Sequence, residues 1–147
     1  MENKKDNYYR KIEGMLYNYP SLKAEIKNID LEIEELQNDY VSCGAIGYEE
    51  KIQSTNKFSS AVENKLTTKE TGIPFLKKER RKLEIQIERI DNILSVLTEK
   101  ERIIIELRYF KRLEFDDIGD IVERNGTYLM SKRKEIIENK LIPLIKR

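Results

Sequence analysis

The stretch that decides the fold lies near the C-terminus and reads LRYFKRLEFDDIGDIVERNGTYLMSKRKEIIENKL, residues 107–141. Two segments with apolar residues at helical spacing flank the sequence Glu-Arg-Asn-Gly at 123–126, and the second segment carries the run Lys-Arg-Lys. From Asp116 to Leu141 the pattern fits a short helix, a tight turn and a longer helix, which is the order that a helix-turn-helix requires. We therefore predict a DNA-reading helix pair in this part of the chain.

The first helix of the pair is predicted to start with acidic residues and to bury one apolar face. Asp116 and Asp117 fall in its first turn, where carboxylates favour the helix dipole, so we interpret them as helix-starting residues and not as a metal or acid–base site. Gly119 is predicted to lie where the two helices cross, because a small residue there lets their backbones approach. The expected apolar residues are Leu113, Phe115, Ile118, Ile121 and Val122.

The second helix has the side-chain display that a recognition helix needs. Asn125 is a strong N-cap candidate. A helical wheel puts Leu129, Ile136 and Ile137 on an inner side and leaves short hydrogen-bonding side chains and cations on the outer side, for base edges and phosphates. Arg133 projects toward the inner side, where it either reaches a phosphate or pairs with an acid. The predicted DNA contacts are Arg124, Asn125, Thr127, Tyr128, Ser131, Lys132, Arg133 and Lys134.

Positive charge is concentrated in the same region. The net charge of the 147-residue chain is only +1, so any attraction to nucleic acid has to come from local clustering. From Arg124 to Arg147, basic residues clearly outnumber acidic ones, which are only Glu135 and Glu138. This local excess supports double-stranded DNA as the partner.

Heptad patterns dominate the chain before this region. A first helical stretch is predicted to stop at Pro20. A seam with alternating spacings of four and three then runs through Leu22, Ile26, Ile29, Ile33, Leu36 and Tyr40. A second seam runs through Leu76, Leu83, Ile87, Ile90, Leu94 and Leu97.

The two seams favour a long antiparallel helical hairpin over residues 1–97. A parallel homodimeric coiled coil satisfies the same pattern, so the sequence leaves a homodimer open. The connection between the seams, residues 41–73, is long, and Phe58, Val62 and Leu66 indicate a short helix near 57–68.

A second domain is predicted to start at Thr98. The Thr98 hydroxyl and the Glu101 carboxylate are spaced for a capping box, which begins a helix near 99–111. This helix is expected to bury Ile104, Leu107 and part of Tyr109 or Phe110. We therefore predict an all-α chain in which the helical hairpin is followed by a helix-turn-helix domain over 98–147.

Composition argues against an enzyme. The chain has no histidine, and Cys43, as the single cysteine, excludes an intramolecular disulfide and a thiolate zinc cluster. The glycines are too scattered for a phosphate-binding loop. We expect no catalytic residue, no metal ion and no cofactor. The longest apolar run, Ile103 to Ile105, is far too short for a membrane span, so we predict a soluble, cytosolic protein.

The segment LTEKERIIIELRYFKRLEFDDIGDIV, residues 97–122, resembles the domain with which sigma factors read the −35 promoter element, known as region 4. Asp117, Ile118 and Gly119 stand where that family has Glu-Ile-Ala, and the sequence at 123–125 replaces its usual Gly-Val-Ser turn. The other positions that agree with the family pattern are Thr98, Glu101, Arg102, Leu107, Arg108 and Tyr109.

Nearly the whole chain resembles a narrower family, the ArpU/RinA-type phage transcriptional regulators. The upstream stretches that carry this resemblance are YNYPSLKAEIKNIDLEIEEL and KFSSAVENKLTTKE. It implies a sequence-specific DNA-binding activator of phage or prophage late genes. Such a protein acts in the cytoplasm of the bacterial host, with host RNA polymerase or its sigma factor as a further partner. Thr127, Tyr128, Ser131, Lys132 and Lys134 fall at the recognition-helix positions of this family.

Two alternative functions remain open at the level of sequence. The heptad seams also suit a protein-interaction module that binds a partner coil, with the basic helix incidental. A small terminase subunit that binds phage packaging DNA shares the helix-turn-helix, and ring-like oligomers would distinguish it. A complete sigma factor fits less well, because residues 1–97 read as heptad coil and contain no tryptophan for a promoter-melting domain.

Overall fold

The computed structural model describes residues 3–46 and 72–146, and every regular element within these ranges is helical. The all-α prediction is therefore confirmed, and a long N-terminal helix packs against a second helix. Within the described ranges, no helix is both long enough and apolar enough to cross a membrane. The elements are α1 (Lys4–Ile46), α2 (Ile73–Leu94), α3 (Glu99–Ile105) with a π-helical continuation (Glu106–Phe110), α4 (Phe115–Val122), α5 (Gly126–Glu135) with a π-helical continuation (Ile136–Leu141), and α6 (Ile142–Ile145).

The chain forms two compact units, which divide it differently from the predicted boundary between residues 97 and 98. The first unit contains Met1–Leu22 and Gln86–Arg147, and the second contains Lys23–Ile85. The first turns of α1 therefore belong to the same unit as helices α3 to α6, instead of to a separate hairpin domain.

Helix α1 is continuous through Pro20, so the prediction that a helix stops there is wrong. A proline inside a helix removes one hydrogen bond and crowds the carbonyl four residues earlier, at a cost of about 3 kcal/mol. Leu16, Tyr19 and Leu22 flank Pro20 and are all buried on one face of the helix. Burying each such side chain stabilises by roughly 1.5–3 kcal/mol, which together exceeds the cost of the proline.

The predicted seams supply many of the buried residues of α1 and α2. In the first unit, Leu22, Ile90 and Leu94 are buried, and the hydroxyl of Tyr19 donates a hydrogen bond of 2.7 Å to Asp91 Oδ1. In the second unit, Ile33 is buried on α1.

An ion pair also connects α1 and α2 in the second unit. Arg80 of α2 forms ion pairs with Asp30 of α1 at 3.1 Å and with Glu84 at 3.2 Å, measured from its Nε atom. The predicted connection lies mostly outside the described residues, as does the short helix near 57–68. At its start the prediction is wrong, because α1 extends to Ile46 and so includes residues 41–46.

Local signals account for the start of α3. Thr98 is its N-cap, the Glu101 amide donates to the Thr98 hydroxyl at 3.4 Å, and the Thr98 amide donates to the Glu101 carboxylate at 3.1 Å. The predicted capping box is therefore confirmed. Glu101 is buried, and Lys140 donates a hydrogen bond of 2.6 Å to it. Burial alone raises the pKa of the Glu101 carboxyl, but the hydrogen bonds from Lys140 and Thr98 lower it below its ordinary value.

Candidate nucleic-acid interface

The turn between α4 and α5 depends on an unusual backbone conformation at Glu123. This residue adopts a left-handed conformation, with φ 57° and ψ 47°, and so ends α4 in place of the glycine that usually occupies such a position. The amide of Arg124 then donates a hydrogen bond of 3.1 Å to the carbonyl of Gly119. The turn thus consists of residues 123–125, and its last residue, Asn125, directly precedes α5.

Gly119 is required by this turn. A Cβ atom added to it would lie 2.5 Å from the carbonyl oxygen of Arg124, which is a backbone atom that cannot rotate away. The nearest atom of α5, Leu129 Cδ1, would be 3.8 Å away, an ordinary contact distance. The prediction of a close approach at Gly119 is confirmed, but its predicted cause is wrong, since the turn and not the crossing helix leaves no room.

Asn125 caps α5 as predicted. Its side-chain oxygen accepts a hydrogen bond of 2.7 Å from the Thr127 amide, and its backbone carbonyl accepts one of 3.1 Å from the Leu129 amide. These two bonds fix Asn125 at the start of the helix, as an N-cap requires.

The inner face of α5 and its π-helical continuation packs into the core of the unit. Leu129, Ile136 and Ile137 are completely or almost completely buried, as the helical wheel predicts. Leu129 packs in one cluster with Ile104 of α3 and with the α4 residues Phe115 and Ile118. Because this face is buried, the opposite face of α5 points to solvent.

The apolar stripe of α4 is narrower than predicted. Phe115 and Ile118 are buried and Val122 packs against their cluster, but Ile121 is 58% exposed, so its predicted burial is wrong. An eight-residue helix buries a single stripe, and Ile121 lies beyond the edge of the stripe that Phe115, Ile118 and Val122 define.

The outer face of α5 carries most of the predicted DNA contacts. Thr127, Ser131 and Lys134 are all exposed, and Lys134 makes no ion pair within the described residues. Tyr128 is also exposed, and the Arg124 guanidinium lies 5.6 Å from the centre of its ring. At this distance the cation and the ring attract each other, which holds Arg124 beside the first turn of α5.

Two other cations of the basic region at residues 124–147 form ion pairs with acidic side chains of the protein. Lys132 is half-buried and lies 3.6 Å from Glu135. Lys140 is bound to the buried Glu101 carboxylate at 2.6 Å. The positive charge available to a ligand on this surface is therefore smaller than the sequence indicates.

Arg133 is one of the predicted DNA contacts, but its side chain points toward the interior of the unit. Its side chain is only 20% exposed, its Nη1 atom lies 3.9 Å from Glu13 Oε1, and its guanidinium lies 5.0 Å from the centre of the Phe115 ring. Of the two roles open to Arg133 in the sequence, the structure selects pairing with an acid.

Helix α4 and its C-cap residue present an acidic surface beside α5. Asp116, Asp117, Asp120 and Glu123 are all exposed, and no basic residue lies within α4. Asp116 and Asp117 occupy the first turn, as predicted. These carboxylates make this surface negative, so it does not attract an anionic ligand.

The N-terminal part of α1 contacts the C-terminal helices through a polar cluster around the buried Tyr109. Tyr109 is fully buried and donates a hydrogen bond of 2.8 Å to Glu13 Oε1, the same atom that faces Arg133. The ring of Tyr17 contacts that of Tyr109 edge-on, with 4.8 Å between centroids. Glu13 thus connects α1 both to the π-helical segment after α3 and to α5.

The sequence does not predict that Glu13 belongs to this region, and it predicts only partial burial of Tyr109 or Phe110. Tyr109 and Glu13 are 96 residues apart, so no local pattern links them. The one available signal is that Arg133 points inward on the helical wheel and so requires an acid somewhere in the chain.

The buried tyrosines predict alkaline sensitivity. Burial, together with the hydrogen bond to Glu13, raises the pKa of Tyr109 well above its usual value near 10, and burial also raises the pKa of Tyr9. The unfolded chain releases these protons at about pH 10 while the folded chain retains them, so stability is complete below about pH 10 and falls as the pH rises further. We expect the free energy of unfolding to fall by up to about 1.4 kcal/mol per pH unit for the fully buried Tyr109, and by less for the half-buried Tyr9.

Urea unfolding at about pH 9 and pH 11 measures this loss. The Tyr109→Phe variant cannot ionise at this position and should lose less stability over the same interval than the native protein. Equal losses in the two proteins would show that Tyr109 does not contribute to the pH dependence.

The chain belongs to a family described as a protein of unknown function, DUF722, whose model matches residues 8–141. Comparisons with curated proteins and with solved structures found no significant match. The matched range includes both Glu13 and α5, so the contacts between α1 and α5 lie within the family region.

Proposed function

We propose that this protein is a sequence-specific DNA-binding transcriptional regulator that inserts α5 into the major groove of duplex DNA. The observation that carries the proposal is the orientation of α5. Its capped N-terminal turns direct Thr127, Ser131 and Lys134 to solvent, while its other face is anchored in the core. A helix that reads base edges needs short polar side chains and a cation on a rigid, outward surface.

The exposed residues divide into two proposed roles. Thr127 and Ser131 are short and can exchange hydrogen bonds with base edges, which vary with sequence. Lys134 and Arg124 are cations that can bind phosphates, which are the same at every site. Arg133 supports the helix from inside and has no contact with DNA in this proposal.

The sequence resemblances support a place for this activity in phage or prophage transcription. The ArpU/RinA-type regulators suggest late genes as targets, and the sigma-like segment suggests action at a promoter beside host RNA polymerase or its sigma factor. The modest number of available cations fits this proposal, because a protein with little non-specific attraction depends more on the correct sequence.

Binding-site selection from a randomised duplex pool tests the proposal. We expect the native protein to enrich one sequence motif, and the double variant Ser131→Ala/Lys134→Ala to lose that enrichment. A motif with two-fold symmetry would indicate that a dimer binds. Salt-sensitive binding without any enrichment would contradict a sequence-reading function.

The salt dependence of binding separates the two proposed roles. On the selected site, Lys134→Ala should reduce the slope of log affinity against log salt concentration by about one unit, because one phosphate contact is lost. Ser131→Ala should weaken binding to that site without changing the slope. Lys78→Ala, which removes an exposed lysine of α2, is the matched control and should leave both quantities unchanged.

A further inference from the structure

A large open groove lies in the first unit, between α1, the end of α2 and α6. Its volume is about 1010 Å³, and apolar side chains contribute much of its lining. Two of these are conspicuously exposed: Val96, in the turn after α2, is 48% exposed and Leu144 of α6 is 44% exposed. Met15 of α1 lies in the same wall and is half-buried. Such a concentration of accessible apolar side chains around one depression is typical of a surface that binds another molecule.

The charges around the groove all have one sign. Among the described residues that line it, the charged ones are Arg10, Lys11 and Arg89, and none is acidic. Lys11 and Arg89 are both exposed, on α1 and α2 respectively. The chain as a whole is nearly neutral, so this uniform sign is a property of the groove and not of the protein. Complementarity therefore requires an occupant with negative charge at its borders.

Gly14 lies in the wall of the groove that α1 forms, and its lack of a side chain leaves space there. This glycine lies in the interior of a long helix, where it costs about 1 kcal/mol relative to alanine. A Cβ atom on Gly14 would have no neighbour within 4 Å, so the glycine is not required by packing within the described chain. Since Gly14 also lines the groove, its missing side chain allows the backbone of a ligand to come close to α1.

We propose that this groove binds an amphipathic helix of a partner protein, with an apolar stripe that covers Met15, Val96 and Leu144 and with aspartate or glutamate side chains that face Lys11 and Arg89. Two turns of a helix, about 10–12 Å across, occupy roughly 1,000 Å³, which matches the volume of the groove. The apolar lining favours a helix over the phosphates of a nucleic acid, which would leave these side chains uncovered. The site is separate from the outer face of α5, and the proposal does not depend on DNA binding.

Two designed peptides test this inference on the full-length protein. Both have about 18 residues with leucines at helical spacing, and the residues that border the leucines are glutamates in one peptide and lysines in the other. Fluorescence anisotropy should show binding of the glutamate peptide, weaker at high salt, and at least about tenfold weaker binding of the lysine peptide.

Charge reversal in the groove should exchange this preference. In Lys11→Glu/Arg89→Glu the glutamate peptide should bind at least about tenfold more weakly, and the lysine peptide should bind more tightly than it does to the native protein. Lys78→Glu is the matched control outside the groove and should bind both peptides as the native protein does. Val96→Asp should weaken binding of the glutamate peptide, because an apolar contact is lost. Thermal unfolding of each variant establishes that these exposed substitutions leave the fold intact.

Three results would overturn the inference. The first is binding of neither peptide, and the second is equal binding of both, which would mean that the lining charges do not select the ligand. The third is sedimentation of the native protein as an oligomer that Val96→Asp dissociates, which would assign the groove to a second copy of this chain.

Discussion

Replacing Gly119 by alanine is expected to destabilise the helix-turn-helix by about 1–3 kcal/mol, the range for overpacking at a position without free space. The added Cβ would lie 2.5 Å from the Arg124 carbonyl oxygen, so the turn has to open or α4 has to move. Leucine at this position should be at least as disruptive. Urea unfolding followed by far-ultraviolet circular dichroism measures the change. Because the same turn delivers Asn125 to α5, the proposed DNA binding should weaken as well.

The chain contains a matched control for this substitution. Gly14 is also inside a helix, but an added Cβ would meet no atom within 4 Å. Gly14→Ala should therefore stabilise the protein by about 0.5–1 kcal/mol through helix propensity alone. Opposite signs for the two glycine-to-alanine changes would identify the Arg124 carbonyl as the cause of the loss at Gly119. A Gly119→Ala protein as stable as the native one would mean that the turn has room for a methyl group.

Replacing Tyr109 by alanine should have the largest effect on stability, about 3–5 kcal/mol, as for other large aromatic side chains removed from a core. The ring is fully buried and contacts Tyr17, and its hydroxyl reaches Glu13 across the unit. The substitution therefore removes both packing and the connection between α1 and the segment that follows α3. Thermal and urea unfolding measure the loss.

One further variant separates the hydrogen bond of Tyr109 from the packing of its ring, and a second is a control at an exposed tyrosine. Tyr109→Phe keeps the ring and removes only the hydrogen bond, so it should cost about 1 kcal/mol at neutral pH. Tyr128→Ala removes an exposed tyrosine of α5 and should change stability by no more than about 0.5 kcal/mol. If Tyr109→Ala were as mild as Tyr128→Ala, the first turns of α1 would not be a structural part of the helix-turn-helix unit.

Local chemistry explains why the helix starts and the inner face of α5 could be predicted from the sequence. The capping box of Thr98 and Glu101, the Asn125 cap and the acidic first turn of α4 each involve residues at most three positions apart or a single helix end. The inner face of α5 follows from helical periodicity, which places Leu129 and Ile136 on one side whatever they pack against.

The errors arise where distant segments compete with local preference. Pro20 is an unfavourable helix residue, but burial of its neighbours keeps α1 continuous. Ile121 has the right spacing for the core, but the short α4 buries a narrower stripe. Periodicity predicts that Arg133 points inward, but it does not identify Glu13 as the acidic residue beside it.

By itself, the sequence determined that the chain is helical, where the turn between α4 and α5 lies, and which face of α5 is exposed. These properties depend on interactions within one or two helical turns, so they can be read from neighbouring residues. Only the tertiary structure decided that the start of α1 belongs to the same unit, that Glu13 engages Tyr109 and Arg133, and that α1, α2 and α6 border a groove lined by cations. Heptad and helical periodicity indicate that a side chain is buried, but its partner depends on which distant surfaces meet when the chain folds.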